Sequence, residues 1–260
     1  MNCVLQYCFS FSFDTQTRTC KTYGNDTYNE TKNSTSLFGS YIMITTDPVD
    51  CGDICCTNCS GVYQITPVSG TSFHVFCDID TTGGPWTVIQ RRFDGSVNFY
   101  RGWDDYKLGF GNPSGEYWLG LDYIYSLLSL DQQLYIYLEG WDGTTGYAAY
   151  QTFVIENETQ KYKLTLGGFD GNVVDQFDNH NQYYFSTFEV DNDISTRNCA
   201  EFGRGGWWYR NCYMCNLNGL YTTDTGLNVS RSMNWNYFYS DRRQPPLKKT
   251  TMMVRRKNIP

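Results

Sequence analysis

The chain has 260 residues, which is long enough for one large domain with a buried core, alone or with a small appendage. Charged residues make up 18% and aromatic residues 17% of it, and its 24 glycines favour short strands and turns over long helices. The formal net charge of −7 argues against a nucleic-acid partner, because phosphate backbones are bound by clustered lysine and arginine.

The cysteine content indicates the compartment. Eleven cysteines are typical of an oxidising environment, so we expect a secreted, extracellular protein. Glycosylation sequons agree with this, and they begin at Asn25, Asn29, Asn33, Asn58, Asn157 and Asn228. No apolar run approaches the ~20 residues that a membrane helix needs, so no membrane span is expected. The first residues lack the pattern of a signal peptide, which predicts a sequence that begins inside a longer secreted protein.

Residues 1–47 are predicted to be a partial, cysteine-containing appendage with a glycosylated linker, and residues 48–260 the main domain. Near the start, the run FSFSF alternates apolar and polar residues as a half-buried strand does. This run, with Cys8 before it and Cys20 after it, resembles the closing part of a PAN/apple module. Residues 21–36 are polar and carry three sequons, which is typical of a linker.

From residue 51 onward, short apolar runs alternate with Gly, Asn and Asp, which predicts a twisted antiparallel sheet. Strands are predicted at residues 62–65, 73–77, 86–91, 134–138, 147–155 and 162–166. Residues 117–130 carry apolar side chains at helical spacing and predict one or two short helices. The last third lacks a regular period, so we expect ordered loops there, held by disulfides and a metal ion.

A metal site is predicted in residues 188–199. Asp191 and Asp193 lie two residues apart and are followed by small polar residues. Carboxylates, main-chain carbonyls and water together suit a hard cation that takes ~6–8 oxygen ligands, so calcium is expected rather than zinc or copper. An isolated Asp-X-Asp more often forms a solvated Asx turn, and the surrounding sequence decides between these two interpretations.

Several sequence blocks occur in one order along the chain. They are CGD at 51–53, GGPWTVIQRRFDGSVNFYR at 83–101, NCA at 198–200, GGWWY at 205–209, NC at 211–212 and NLNGLY at 216–221. Together they closely resemble the fibrinogen-related domain of ficolins, tachylectins, angiopoietins, tenascins and fibrinogen chains. The resemblance covers residues from about 48 to 260. It implies an α+β fold of the fibrinogen C-terminal type, with a central twisted antiparallel sheet, short helices and a loop-rich subdomain for calcium and ligand.

The resemblance also implies roles for individual residues. It implies the disulfides Cys51–Cys77 and Cys199–Cys212, and a cis peptide between Asn211 and Cys212. It places on calcium the side chains of Asp191 and Asp193 and the main-chain carbonyls of Ser195 and Arg197. Water would complete the shell of ligands. Sequence leaves the pairing of the other cysteines open, namely Cys3, Cys8, Cys20, Cys55, Cys56, Cys59 and Cys215.

In the lectin branch of this family, an acetyl pocket lies beside the second disulfide and includes a histidine after the second cysteine. Here Tyr213 follows Cys212, and Gly203 and Val229 stand where aromatic residues are expected. The residues at this pocket also do not support polymerisation like that of fibrin. The residues predicted to contact a ligand are Phe202, Asn211, Cys212, Tyr213 and Val229, whereas Trp207, Trp208 and Trp235 are predicted to be core.

The chain is not predicted to be an enzyme. It has only two histidines, His74 and His180, and no nucleophile elbow, phosphate loop or zinc-protease motif. The predicted function is a secreted, calcium-dependent lectin that binds glycans in innate immune recognition. The alternative is a protein-binding module, a receptor ligand or extracellular-matrix contact. We also expect a homo-oligomer, formed through an upstream region or an unpaired cysteine.

Overall fold

A computed structural model describes residues 48–54, 59–224, 229–239 and 246–257, together with the backbone of two short strands near the N-terminus. The strands are β1 Phe11–Asp14, β2 Thr19–Thr22, β3 Gly61–Ile65, β4 Phe73–Asp78, β5 Trp86–Arg92, β6 Phe110–Gly111, β7 Tyr117–Trp118, β8 Gln132–Gly140, β9 Thr145–Ile155, β10 Leu164–Gly171, β11 Cys215–Asn216, β12 Asn234–Trp235 and β13 Leu247–Arg256. The helices are α1 Trp103–Leu108, α2 Leu121–Leu127 and α3 Cys199–Gly203. Among the described residues, every helix is too short or too polar to cross a bilayer.

The main sheet is antiparallel and has the order β10-β9-β8-β13-β5-β4-β3, with β6 and β7 attached beside β5. Its central strand is β13, which comes last in the sequence and pairs with β8 on one side and β5 on the other. The first half of β5 pairs with β4 at Thr87, and its second half pairs with β7 at Gln90. Strand β13 therefore joins the two halves of the sheet.

Alternating side chains explain which face of the sheet is buried. Along β8, buried and half-buried residues alternate strictly, so that Leu134, Ile136 and Leu138 are inaccessible to solvent. A period of two is the pattern of a strand with one face on a core. The largest buried side chains include Trp118 of β7 and, in the loop-rich part, Trp207 and Trp208. The prediction that Trp207, Trp208 and Trp235 are core residues is correct, since none is more than 2% exposed.

The predicted α+β fold is confirmed, and the differences lie at element ends. Residues 117–118 form a strand instead of a helix, and the helix of this region begins at Leu121 and buries Leu121, Ile124 and Leu127. The strand predicted at 162–166 begins two residues later and runs to Gly171. Tyr162 is excluded from it because its φ of 49° lies in the left-handed region. The strand at the N-terminus spans Phe11–Asp14 and pairs with β2.

A buried ion pair joins the sheet to the loop-rich part. Glu116 is 1% exposed, and its Oε1 accepts hydrogen bonds from the main-chain nitrogens of Phe93, Asp94 and Gly95 at 2.6 to 2.9 Å. Its Oε2 lies 3.9 Å from Nε of Arg92, whose guanidinium also donates to the carbonyl of Gly219 at 2.9 Å. This carboxylate therefore fixes the loop after β5 and, through Arg92, the segment that follows β11.

The structure contains the disulfides Cys51–Cys77 and Cys199–Cys212, and Cys59 is disulfide-bonded as well. Cys215 is the one free cysteine among the described residues, and it is completely buried. A buried thiol cannot reach a second chain, so Cys215 is not the unpaired cysteine expected to link subunits. Cys3, Cys8, Cys55 and Cys56 lie outside the described residues, as does the side chain of Cys20.

Candidate calcium turn and ligand pocket

The predicted metal turn is tied to the rest of the molecule by asparagine side chains. Nδ2 of Asn192 donates to the carbonyl of Phe185 at 2.8 Å, and Nδ2 of Asn198 donates to the carbonyl of Phe188 at 3.1 Å. Oδ1 of Asn198 accepts from the nitrogen of Glu201 and so caps α3. The turn at 191–197 is thus fixed at both ends, and it leads directly into the helix that carries Cys199.

Within the turn, Asp193 is the more enclosed carboxylate. It accepts hydrogen bonds from the nitrogens of Ser195 and Cys199 at 2.7 and 2.8 Å. Burial raises the pKa of Asp193, and the neighbouring charge of Asp191 raises it further, although the two hydrogen bonds oppose the shift. Two carboxylates held this close repel each other, so the site is unfavourable for the ionised pair unless a cation lies beside it.

The donor set of the turn fits calcium. Among the described residues, no hydrogen-bond donor reaches the main-chain oxygens of Ser195 or Arg197, and both remain free to bind an ion. The described part of the chain contains no cluster of three or more His, Cys, Asp or Glu side chains that could hold a metal. A calcium site here would therefore combine two carboxylates with main-chain oxygens and water, all hard ligands.

The Cys199–Cys212 disulfide connects this turn to residues 211–213, which line both pockets described below and which we name the 211–213 ridge. The two Cα atoms lie 5.2 Å apart, and the peptide between Asn211 and Cys212 is cis. The nitrogen of Ile194 donates to the carbonyl of Arg210 at 3.2 Å, which is a second link between turn and ridge. The position of the ridge therefore depends on the conformation of the 191–197 turn.

His180 supports the far side of the ridge. It is completely buried, and its Nδ1 lies 2.7 Å from the carbonyl of Trp208. Its Nε2 accepts hydrogen bonds from the nitrogens of Met214 and Cys215, both at 3.3 Å. Burial lowers the pKa of His180 to about 4, so the ring is neutral, with Nδ1 as donor and Nε2 as acceptor. The role of His180 was not predicted from the sequence, because nothing near it in the sequence shows that it meets residues 208 and 214–215.

Two pockets lie on either side of the ridge. The first, the Phe202 pocket, has a volume of about 280 Å³ and is lined by Arg197, Phe202, Asn211, Cys212, Tyr213, Ser230, Asn234 and Asn236. The second, the Met214 pocket, has a volume of about 310 Å³ and is lined by Asn179, Ile194, Arg210, Asn211, Cys212, Tyr213 and Met214. The Phe202 pocket brings together four of the five predicted contact residues. The fifth, Val229, begins the short 3-10 turn Val229–Arg231, and its side chain lies outside the described residues.

Tyr213 fills space that a larger residue at position 203 would need. A Cβ atom on Gly203 would lie 3.0 Å from Cε1 of Tyr213 and 2.7 Å from the hydroxyl of Tyr209. Burial raises the pKa of Tyr213 to about 12, while contact with the Asn216 side chain and the charges of Arg231 and Arg197 offset part of the shift. The Asn216 contact falls outside hydrogen-bond geometry, so the buried hydroxyl has no partner. Gly203 therefore leaves the space that the ring of Tyr213, in the wall of the Phe202 pocket, occupies.

Several lining residues were missed at the sequence level. Ser230, Asn234 and Asn236 come from a segment about twenty residues after the ridge, and no motif marks them. Asn234 is 4% exposed, and its Oδ1 has no hydrogen-bond partner, whereas its Nδ2 donates to the carbonyl of Ser232. Arg197 was predicted only as a main-chain ligand, yet its guanidinium lies 4.8 Å from the ring centre of Phe202.

Comparison with known proteins extends these observations. The family model of the C-terminal globular domain of fibrinogen beta and gamma chains matches residues 47–257. Microfibril-associated glycoprotein 4 of Homo sapiens is 43% identical over 225 residues, which cover 80% of this chain and 85% of that protein. Ryncolin-4 of Cerberus rynchops is 46% identical over 202 residues, which cover 74% of this chain and 59% of ryncolin-4.

Solved structures show the same architecture. The fibrinogen-like globe domain of human ANGPTL2 superposes with a TM-score of 0.73 at 41% identity, covering 77% of this chain and 94% of that domain. Lamprey fibrin D-dimer, solved with the peptide Gly-His-Arg-Pro-amide, superposes with a TM-score of 0.72 at 34% identity, covering 81% of this chain and 74% of its own.

Proposed function

The chain belongs to the family of fibrinogen C-terminal globular domains, and from this membership we propose that it is a secreted, calcium-dependent recognition module that binds glycans in innate immune recognition. Membership of this family makes the chain a recognition module. We propose in addition that it depends on calcium, that its ligands are glycans and that it acts outside the cell. The observation that carries it is the connection, through the Cys199–Cys212 disulfide and the Ile194–Arg210 hydrogen bond, between an acidic turn and a lined pocket.

In this proposal the calcium ion is held by the carboxylates of Asp191 and Asp193 and by the main-chain oxygens of Ser195 and Arg197. The ion supplies positive charge that offsets the repulsion between the two carboxylates. The residues of the chain do the rest. Asn192 and Asn198 hold the turn, the disulfide transmits its position to the ridge, and the Phe202 pocket offers aromatic faces and amide groups to a sugar. Recognition requires no covalent step, in agreement with a role that is not catalytic.

Calcium binding is tested by combining Asp191→Asn with Asp193→Asn and measuring the melting temperature in calcium and in EDTA. Wild type gains about 2.7 kcal/mol when free calcium is 100-fold above the dissociation constant, whereas the variant gains little. In EDTA the variant loses less than it loses in calcium, because removal of the carboxylate repulsion offsets the one hydrogen bond to Asp193 that an amide cannot accept. The matched control combines Asp104→Asn with Asp105→Asn in the exposed first turn of α1 and keeps the calcium gain. Equal losses by the turn variant in both buffers contradict the proposal.

Glycan binding is tested on an array with calcium and with EDTA. The proposal expects signals that disappear in EDTA and in the turn variant. Silence on the array in the presence of calcium contradicts the lectin assignment and leaves the alternative, a protein-binding module. The peptide held by lamprey fibrin D-dimer favours that alternative as a class, since a related globe binds a peptide. A protein-binding module would be identified by protein partners whose binding is not blocked by free sugars.

A further inference from the structure

An apolar groove lies apart from the two pockets at the ridge and shares no lining residue with them. It has a volume of about 440 Å³, and we name it the Val68 groove. Its walls are the turn after β3, the C-terminal part of α2 with the residues that follow it, and the end of β9. Val68, Tyr125 and Val154, one from each wall, are 72%, 44% and 39% exposed. Exposed apolar side chains gathered around one concavity indicate a surface that contacts another segment or molecule.

The chain enters the main domain beside two walls of this groove. The carbonyl of Pro48 accepts a hydrogen bond at 2.7 Å from the nitrogen of Thr66, which lies two residues before the first lining residue. Nε2 of Gln132 donates to Oδ2 of Asp50 at 3.1 Å and to the carbonyl of Leu127 at 3.4 Å, and so ties residue 50 to the end of α2. The segment that precedes residue 48 therefore meets the domain next to the groove.

The sequence of that segment has the composition of an occupant. Residues 37–44 read LFGSYIMI, in which six of the eight residues are aliphatic or aromatic and none is charged. The linker before them, residues 21–36, is polar and carries three sequons. Because apolar side chains gain free energy when they leave water, we expect this run to be buried against a nearby apolar surface.

The length of the tether and the volume of the groove both allow this contact. Residues 45–47 span at most roughly 11 Å when extended, and Val68 lies at most roughly 7 Å along the chain from Thr66. Residue 44 can therefore reach the groove from Pro48. A cavity of roughly 150 Å³ holds one benzene molecule, so a groove of 440 Å³ has room for about two or three large apolar side chains. A short tether also gives the segment an effective concentration on the order of mM at the groove.

We propose that the apolar run at residues 37–44 of this chain docks in the Val68 groove, with side chains of residues 41–44 covering Val68, Tyr125 and Val154. Docking fixes where the glycosylated linker leaves the main domain. This inference does not depend on the proposed function, because the groove shares no residue with the 191–197 turn or the Phe202 pocket. The other candidate occupants are a second copy of this chain and a separate protein, and the test distinguishes them.

Limited proteolysis of the whole chain with chymotrypsin tests the contact, because Phe38 is a cleavage site inside the apolar run. A docked segment is cleaved only when it leaves the groove, so the cleavage rate follows the undocked fraction when docking is fast. Val68→Asp and Tyr125→Ser are each expected to increase the rate of cleavage after Phe38 about tenfold, which corresponds to about 1.4 kcal/mol. Ile44→Asp should give a similar increase, because it changes the other side of the same contact.

Val174→Asp is the matched control. Val174 is also exposed, at 53%, and lies outside the groove, so this variant should keep the wild-type rate. An equal increase in Val174→Asp overturns the proposal, because it would indicate general destabilisation. Cleavage of wild type as fast as that of Val68→Asp also overturns it, because the run would then be undocked. Melting temperatures show whether each variant is folded, and Tyr125→Ser replaces Val68→Asp if that variant is not.

Sedimentation of the same variants identifies a different occupant. A wild-type dimer that Val68→Asp dissociates, with an unchanged cleavage rate in Ile44→Asp, assigns the groove to a second copy of the chain and overturns the proposal. A monomeric wild type with an unchanged rate in Ile44→Asp leaves the groove to a separate protein and overturns it as well. Faster cleavage in the groove variants and in Ile44→Asp, with the wild-type rate in Val174→Asp, supports docking of the run.

Discussion

Protonation of His180 is expected to destabilise the domain in mildly acidic solution. The ring is buried, and its Nε2 accepts hydrogen bonds from the nitrogens of Met214 and Cys215. A protonated ring cannot accept them, and its positive charge would be buried near the guanidinium of Arg210. With a pKa of about 4 in the folded chain and about 6.5 in the unfolded chain, the unfolded state takes up the proton first as the pH falls.

The magnitude follows from the linkage between proton binding and folding. Stability from a neutral His180 is complete above about pH 7 and declines between pH 6.5 and 4. Between pH 8 and pH 5 the loss is about 2 kcal/mol of unfolding free energy. Asp193 acts in the opposite direction, because its raised pKa makes the folded state take up a proton first. The contribution of His180 is therefore read as a difference between wild type and a variant in the same buffer.

His180→Gln is a suitable variant, since its side-chain oxygen can still accept from the Met214 and Cys215 nitrogens but does not titrate in this range. Urea unfolding is measured at pH 8 and pH 5 in EDTA. Wild type should lose about 2 kcal/mol more than the variant between these two values. His74→Gln, in the exposed position of β4, is the control and should follow wild type. Parallel losses in wild type and His180→Gln would refute the reasoning.

Two further predictions concern groups buried elsewhere. Glu116→Gln should lower the unfolding free energy by about 3–5 kcal/mol in urea titration, because Arg92 loses its buried partner. The control, Glu156→Gln at an exposed position, should change the unfolding free energy by less than about 0.5 kcal/mol. Similar losses in both variants would argue against a special role for Glu116. Burial raises the pKa of the Cys215 thiol, so an alkylating reagent should modify Cys215 only in denaturant. Peptide mass spectrometry detects the modification. Modification of Cys215 in the native chain would contradict its buried placement.

Sequence predicted those parts of the fold that depend on local pattern. The alternation along β8 places Leu134, Ile136 and Leu138 on one face, and a strand is the only regular element with that period. The end of β10 was missed because Phe169 and its neighbours are exposed and show no contrast. Helices α1 and α3 have six and five residues, too few for a helical period to appear. The resemblance supplied the topology, which these patterns alone do not determine.

The candidate site likewise has one part that was predicted from the sequence and another that was not. Residues 191–213 are close in sequence, and motifs there marked Asp191, Phe202 and Tyr213. The opposite wall, including Ser230 and Asn234, comes from a segment that approaches the ridge through the pairing of β11 with β12 and the hydrogen bond from Asn236 to Met214. His180 reaches the ridge from a third segment. No local signal predicts such contacts, because they result from the packing of the whole loop-rich part.

The position of β13 bears on how the protein is made in the cell. Its residues pair with β5 across about 160 positions of sequence, for example Thr250 with Arg92. During synthesis on the ribosome, β3–β5 and β8–β10 emerge as two separate partial sheets with unpaired edges, and such edges associate readily with other chains. They stay apart until residues 247–256 have left the exit tunnel. Until then, the strand edges that β13 will occupy are open to pairing with other chains.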